Sequence, residues 1–186
     1  MIETERLRLR PWRPEDRPAF DAMLNTGPMM RHLGGIQPPA KMDAMFERRL
    51  NDHAHFGHCY WATELRETGE LIGSCGIRIA SDYPPGALVA GMPEIGWRIA
   101  EPHWGRGYAR EAIEASIAWG WANLDARAIG AWTTIENQAS WGLMERLGMT
   151  RRPDLDFHHQ GYPPEDPVGA QIVYILTRPG TTDQDA

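Results

Sequence analysis

Two glycines flank an arginine in the run Trp104-Gly105-Arg106-Gly107-Tyr108-Ala109, and Arg110 follows at once. Glycine lets a backbone bend sharply and come close to a ligand. Where a helix starts just after such a bend, its unpaired N–H groups and its dipole favour an anion. Arg106 and Arg110 add full positive charge, so a phosphate or diphosphate is the expected guest. The run lacks the lysine–hydroxyl ending of a P-loop and the three-glycine spacing of a dinucleotide fingerprint, so nucleotide hydrolysis and hydride transfer fit poorly. The sequence offers no evident Cys–His or Ser–His nucleophile pair. His53, His55, His58 and Cys59 straddle a helix end and lack a partner cluster at zinc spacing, so no metal is expected.

The elements that must hold this bend follow from periodicity. Leu7, Leu9 and Pro11 alternate with Arg6, Arg8 and Arg10, which predicts a half-buried strand. Pro14-Glu15-Asp16 opens a short helix to about Leu24, stopped near Gly27-Pro28. Met42, Met45, Phe46, Leu50 and His53 recur at helical steps and predict a second amphipathic helix, its methionines serving as core. Cys59 to Leu65 and Leu71 to Ile79 flank Glu67-Thr68-Gly69-Glu70 as a hairpin, whose register keeps Cys59 too far from Cys75 for a disulfide. Ser81 to Gly91 reads as a mobile loop. Glu94 to Ala100 is a strand, Pro102 to Gly107 the bend, and the next helix shows one face through Ala109, Ala112, Ile113, Ser116 and Gly120. Glu111, in its first turn, complements the dipole. Ala128 to Ile135 is a further strand, Asn137 caps a helix ending at Leu147 before Gly148, and Gln171 to Thr177 is the last strand. The expectation is one α/β domain over residues 1–180 with a mixed sheet, and a frayed tail over 181–186.

Composition removes several classes. The chain has 186 residues, 42% hydrophobic and 24% charged, an ordinary globular balance. Nineteen basic against 25 acidic residues give a net charge of −6, which argues against nucleic acid or an anionic membrane as partner. No apolar run approaches membrane-spanning length, the N-terminus does not read as a secretory signal, and two cysteines make no disulfide scaffold. A cytoplasmic protein is expected.

The stretch from Glu94 to Met149 resembles the acetyl-coenzyme-A segment of the GNAT superfamily of N-acetyltransferases. Its signature is Arg/Gln-x-x-Gly-x-Gly/Ala between a strand and a helix. Gly107 and Ala109 hold the last two positions, and Trp104 stands where Arg or Gln is usual. Asn137-x-x-Ser140 and Leu147-Gly148-Met149 are similar to the family's downstream segment. Thr4-Glu5-Arg6-Leu7-Arg8-Leu9-Arg10, the Gly69 to Gly73 hairpin and the final strand resemble the ribosomal-protein N-terminal (Rim-type) branch, in which dimers are common.

The resemblance implies a single-domain fold with a mostly antiparallel sheet, splayed between its two middle strands and flanked by helices. It implies acetyl-CoA as co-substrate and direct attack on the thioester by a primary amine, either a protein or peptide N-terminus or a small-molecule amine. Gly105 to Ala109, with Trp104 and Arg110 beside them, would hold the diphosphate. Backbone of Trp97, Arg98 and Ile99 would pair with pantetheine, an N–H near Trp97 would polarise the thioester carbonyl, and Asn137 would hold the pantetheine arm. Glu94 resembles the family's general base; its plain alternative is a solvated strand-end residue. Met144 stands where many members carry a proton-donating tyrosine. Resemblance to the Rim-type branch, which has a serine three residues after the asparagine, implies Ser140 as the donor, its plain alternative being a helix-start residue that caps or faces solvent. A non-catalytic acyl-CoA sensor and transfer of a longer acyl group are the alternatives.

Overall fold

In the computed structural model, which describes residues 1–84 and 86–180, the alternating Leu7 and Leu9 are fully buried on a strand, as their period demands. The elements run β1 (Ile2–Glu3), β2 (Leu7–Arg10), α1 (Arg17–Leu24), α2 (Gly27–Met30), α3 (Pro39–Phe56), β3 (Tyr60–Leu65), β4 (Leu71–Ile79) and β5 (Pro93–Ile99). They continue with α4 (Tyr108–Asn123), β6 (Ala128–Thr133), α5 (Gln138–Arg146), β7 (Thr150–Arg151), β8 (Phe157–His158) and β9 (Ala170–Thr177). The expected tail over 181–186 lies outside the described residues. Contacts divide the chain into two compact units, the first Met1–Arg78 with Ile95–Gly120, the second Ile79–Glu94 with the chain from Trp121 onward. The fold is α/β, with a mixed and mostly antiparallel sheet flanked by helices.

In the first unit β2 pairs antiparallel with β3 from Leu7↔Leu65 to Arg10↔Ala62, and β3 with β4, where Trp61 faces Cys75. Gly69, at φ 74°, closes the hairpin in the left-handed region that suits glycine. Cys59 and Cys75 are free and fully buried, and burial pushes both thiols up to about 12. Trp12, Phe20 and Phe46 meet edge-on with ring centroids 5.1 to 5.9 Å apart, which packs α1 and α3 together.

Three expectations change here. The first helix is a 3-10 turn, Pro14–Asp16, before α1 proper, and Gly27-Pro28 starts the short α2 rather than ending a helix. Thr26 makes that start possible, because its hydroxyl accepts the Met29 N–H. On α3 the buried stripe is Met42, Phe46, Arg49 and Asp52, whereas Met45, Leu50 and His53 are only half-buried.

In the second unit β6 and β9 pair antiparallel from Ala128↔Thr177 to Thr133↔Ile172, with β7 and β8 also on β9. Glu94 of β5 pairs in parallel with Gly130 of β6. Described residues within and beside the segment expected as a mobile loop make specific contacts. Val89 is fully buried against Val173 and Ile175, the Ala80 N–H reaches the Met92 carbonyl at 3.0 Å, and the Trp132 indole donates to the Tyr83 hydroxyl at 2.8 Å. Apolar Tyr83 and Val89 give this stretch a core of its own, which its prolines and glycines concealed.

Candidate functional site

The bend before α4 is built within the first unit. A 3-10 turn, Glu101–His103, ends β5, and the Trp104 N–H closes it on the Glu101 carbonyl at 3.1 Å. The Trp104 indole turns back and donates to the Ile99 carbonyl, which ties the bend to the end of β5. Gly105 and Gly107 then adopt φ 74° and 80°, a left-handed conformation that a Cβ would penalise. α4 begins at Tyr108, and the Glu111 N–H to the Gly107 carbonyl, at 3.1 Å, opens its ladder. Helix geometry therefore leaves the N–H groups of Tyr108, Ala109 and Arg110 without helical acceptors. Arg106 and Arg110 are exposed beside them, and the dipole adds to their charge. Such a mouth can bind an anion such as a diphosphate.

What holds the bend from behind was not legible in the sequence. Glu111 does more than complement the dipole. Its Oε1 accepts the Thr4 hydroxyl at 2.5 Å and the Arg6 N–H at 2.9 Å, and its Oε2 accepts Arg6 Nε at 2.6 Å. Arg6 Nη1 donates to the Arg106 carbonyl at 3.0 Å, and the same guanidinium lies 4.7 Å from the centre of the Tyr108 ring. Burial alone would raise the Glu111 carboxyl, but the Thr4 hydroxyl and the Arg6 donors outweigh it and hold the group below its ordinary range. A carboxylate on α4 thus fixes the Arg6 fork that grips the bend. Glu111→Gln is expected to weaken coenzyme A binding about tenfold by calorimetry, the worth of one charge-assisted hydrogen bond. An unchanged affinity would show that the brace does not shape the mouth.

Trp97, Arg98 and Ile99 end β5 within the first unit, the first two half-buried and Ile99 buried, whereas Glu94, Asn137 and Ser140 belong to the second unit. Glu94 is half-buried at the β5 start, in register with Gly130. Asn137 precedes α5 but does not cap it with its side chain. Its backbone, at φ −83° and ψ 64°, departs from the extended shape of a capping residue, and its Nδ2 donates instead to Thr133 Oγ1 at 2.9 Å. That bond orients the carboxamide. Half-buried Ser140 sits in the first turn, its N–H on the Asn137 carbonyl at 3.0 Å. The Trp141 indole donates to the Ile135 carbonyl at 2.9 Å, so the β6–α5 connection is held at several points. Met144 is a core residue with 1% of its surface exposed.

A cavity of about 370 Å³ opens nearby in the same unit, lined by Ile135, Phe157, His158 and Ile172 among others. His158 hydrogen-bonds the Asp166 carbonyl at 3.1 Å, and His159 packs edge-on against Tyr83 and Tyr162. Among the described residues no group of three or more His, Cys, Asp or Glu side chains is placed to hold a metal ion. Nor, among them, is any helix long and apolar enough to cross a membrane.

The profile of the acetyltransferase (GNAT) domain matches residues 6–150. The chain is 28% identical over 185 residues to the uncharacterized N-acetyltransferase YoaA of Bacillus subtilis, an alignment covering 96% of this chain and 97% of that one. A crystal structure of an acetyltransferase from Agrobacterium tumefaciens superimposes with a TM-score of 0.75 at 31% identity, over 95% of this chain and 94% of the other. A ribosomal-protein α-N-acetyltransferase solved with coenzyme A shares the fold, with a TM-score of 0.69 at 15% identity over 94% and 95% of the two chains. With the profile spanning most of its length, and the glycine bend and helix start inside that span, the chain belongs to the GNAT acetyltransferase family and is an acyltransferase.

Proposed function

We propose that this enzyme moves the acetyl group of acetyl-CoA to a primary amine by direct attack, in the cytoplasm, with chemistry close to the Rim-type branch. The acceptor is the α-amino group of a peptide or protein, or a small-molecule amine. The observation that carries this reading is the pair of left-handed glycines, Gly105 and Gly107, set immediately before the α4 N-terminus. Their amides and those of Arg106, Tyr108 and Ala109 receive the diphosphate, with Arg110 and Arg106 as counter-charges and Trp104 bracing the turn. Backbone of Trp97, Arg98 and Ile99 aligns the pantetheine arm, the N–H near Trp97 stabilises the carbonyl oxygen as charge develops on it, and Asn137 holds the arm through its oriented amide.

The ammonium must lose two protons. Glu94 takes one and passes it to solvent, which frees the lone pair. Nitrogen then bonds to the carbonyl carbon, the C–S bond breaks with its electron pair on sulfur, and the thiolate is protonated from Ser140. The second amine proton restores the serine. The overall test is release of free thiol when acetyl-CoA is mixed with amines. Coenzyme A binding without release for any amine would refute the transfer. Ser140 is both the donor and a coenzyme A contact, so Ser140→Ala is expected to lower kcat about a hundredfold and coenzyme A affinity by much less. An unaltered kcat would remove Ser140 from the reaction.

A further inference from the structure

α3 buries an arginine where an amphipathic helix would place leucine. Arg49 is 1% exposed, while the adjacent Leu50 is left half-buried. The Arg49 guanidinium lies 4.6 Å from the centre of the Tyr60 ring, yet its Nε and Nη1 have no hydrogen-bond acceptor. Arg78, 4% exposed, approaches the same ring at 5.9 Å. Burial, together with the like charges of Arg48, Arg98 and Arg78, lowers Arg49 to about 9, so it remains a cation at neutral pH. Asp52, one turn along the helix, is buried too, but among the described residues no ion pair joins it to Arg49. A buried cation with idle donors and no directly paired anion is costly, and an anion brought to those donors would complete it.

The place of this cluster matters. Tyr60 packs against β5 at Gly96, where an added Cβ would come within 2.7 Å of its Cζ and Oη. Gly96 therefore brings the ring, and the arginines on it, to the strand one residue before Trp97. Arg98, two residues on from Gly96, shares its face of the strand.

We propose that Arg49, with Arg78 on the same Tyr60 ring and Arg98 on the adjoining face of β5, is a carboxylate subsite for the acceptor, so that the amine acetylated is an amino-acid-like molecule bearing its own acid group. The inference rests on the amine-acceptor reading above. A guanidinium fork presents paired N–H groups to a carboxylate, and the idle Nε and Nη1 are the donors it would use.

The test is a comparison of matched amines on the full chain at saturating acetyl-CoA: alanine, leucine and phenylalanine against their carboxamides. The free acids should be preferred about tenfold or more in kcat/KM. This is the stricter direction, because the amide's amine is the easier to deprotonate. Arg49→Met should bring the ratio to one or below, with Arg49→Lys intermediate. Equal rates, a preference for the amides, or no acetylation of any free acid by the wild-type enzyme would overturn the proposal, whether or not the variants fold. Calorimetry with coenzyme A on the same preparation separates the two readings. Binding without acid preference removes the subsite and leaves acetyl transfer standing, whereas absence of binding removes both.

Discussion

Gly107→Val is expected to weaken coenzyme A binding by at least about a hundredfold while the protein stays folded. Among the described residues beyond its chain neighbours, only one side-chain atom, Arg6 Nη2 at 3.5 Å, lies within 4 Å of a Cβ built at this position, so steric crowding is not the cause. The cause is the backbone, which at φ 80° is closed to a β-branched residue and costs about 1 to 3 kcal/mol to maintain. The cheaper response is rotation of the 106–108 peptides, which turns their N–H groups away from the mouth. Calorimetry should then register no heat on addition of coenzyme A, with circular dichroism unchanged. Gly107→Ala should lie between the two. Retained affinity in the valine variant would show that the diphosphate is not held by this backbone.

Arg10→Met should have the largest effect on stability. Arg10 is 6% exposed and donates through Nη1 and Nη2 to both Asp16 oxygens, at 2.6 and 2.9 Å, and through Nε to Glu64 at 2.7 Å. It joins β2, β3 and the turn before α1. Removing it leaves two carboxylates half-buried without their shared cation, at a cost of about 3 to 5 kcal/mol in urea unfolding. The pH dependence carries a sign. Burial would raise Asp16, but Arg10 and the Arg13 N–H more than reverse it, so its folded value lies below the unfolded one. That contribution is complete above the ordinary carboxylate range and is lost as pH falls through the depressed value. The deficit of the variant should therefore shrink as the medium is acidified, because Asp16 protonates in both proteins. A deficit independent of pH between 7 and about 3 would mean that the ion pairs are not its source.

The bend was legible because glycine conformation and helix polarity act over a few residues. The Arg10 cluster was not, because its members are 6 and 54 residues away and only strand register brings them together. The same distance problem hid the Glu111–Arg6 brace, although Thr4 and Arg6 lie in a run noted for its resemblance alone. On α3, counting apolar residues favoured Leu50 and His53, while the fold buried Arg49 and Asp52. Burial rewards apolar area on average, and a site can override it. At Asn137 residue type suggested a cap, whereas the local ψ sent the amide to Thr133.

The sealed sulfurs of Cys59 and Cys75 make a colorimetric readout with a disulfide dye unusually clean. Neither is accessible or ionised at neutral pH, so a dye that reacts with thiolates should report only the sulfhydryl freed from the acyl donor, and colour from enzyme without acyl donor would flag denaturation. The same reagent, left on enzyme alone, becomes a clock for how often the interior opens.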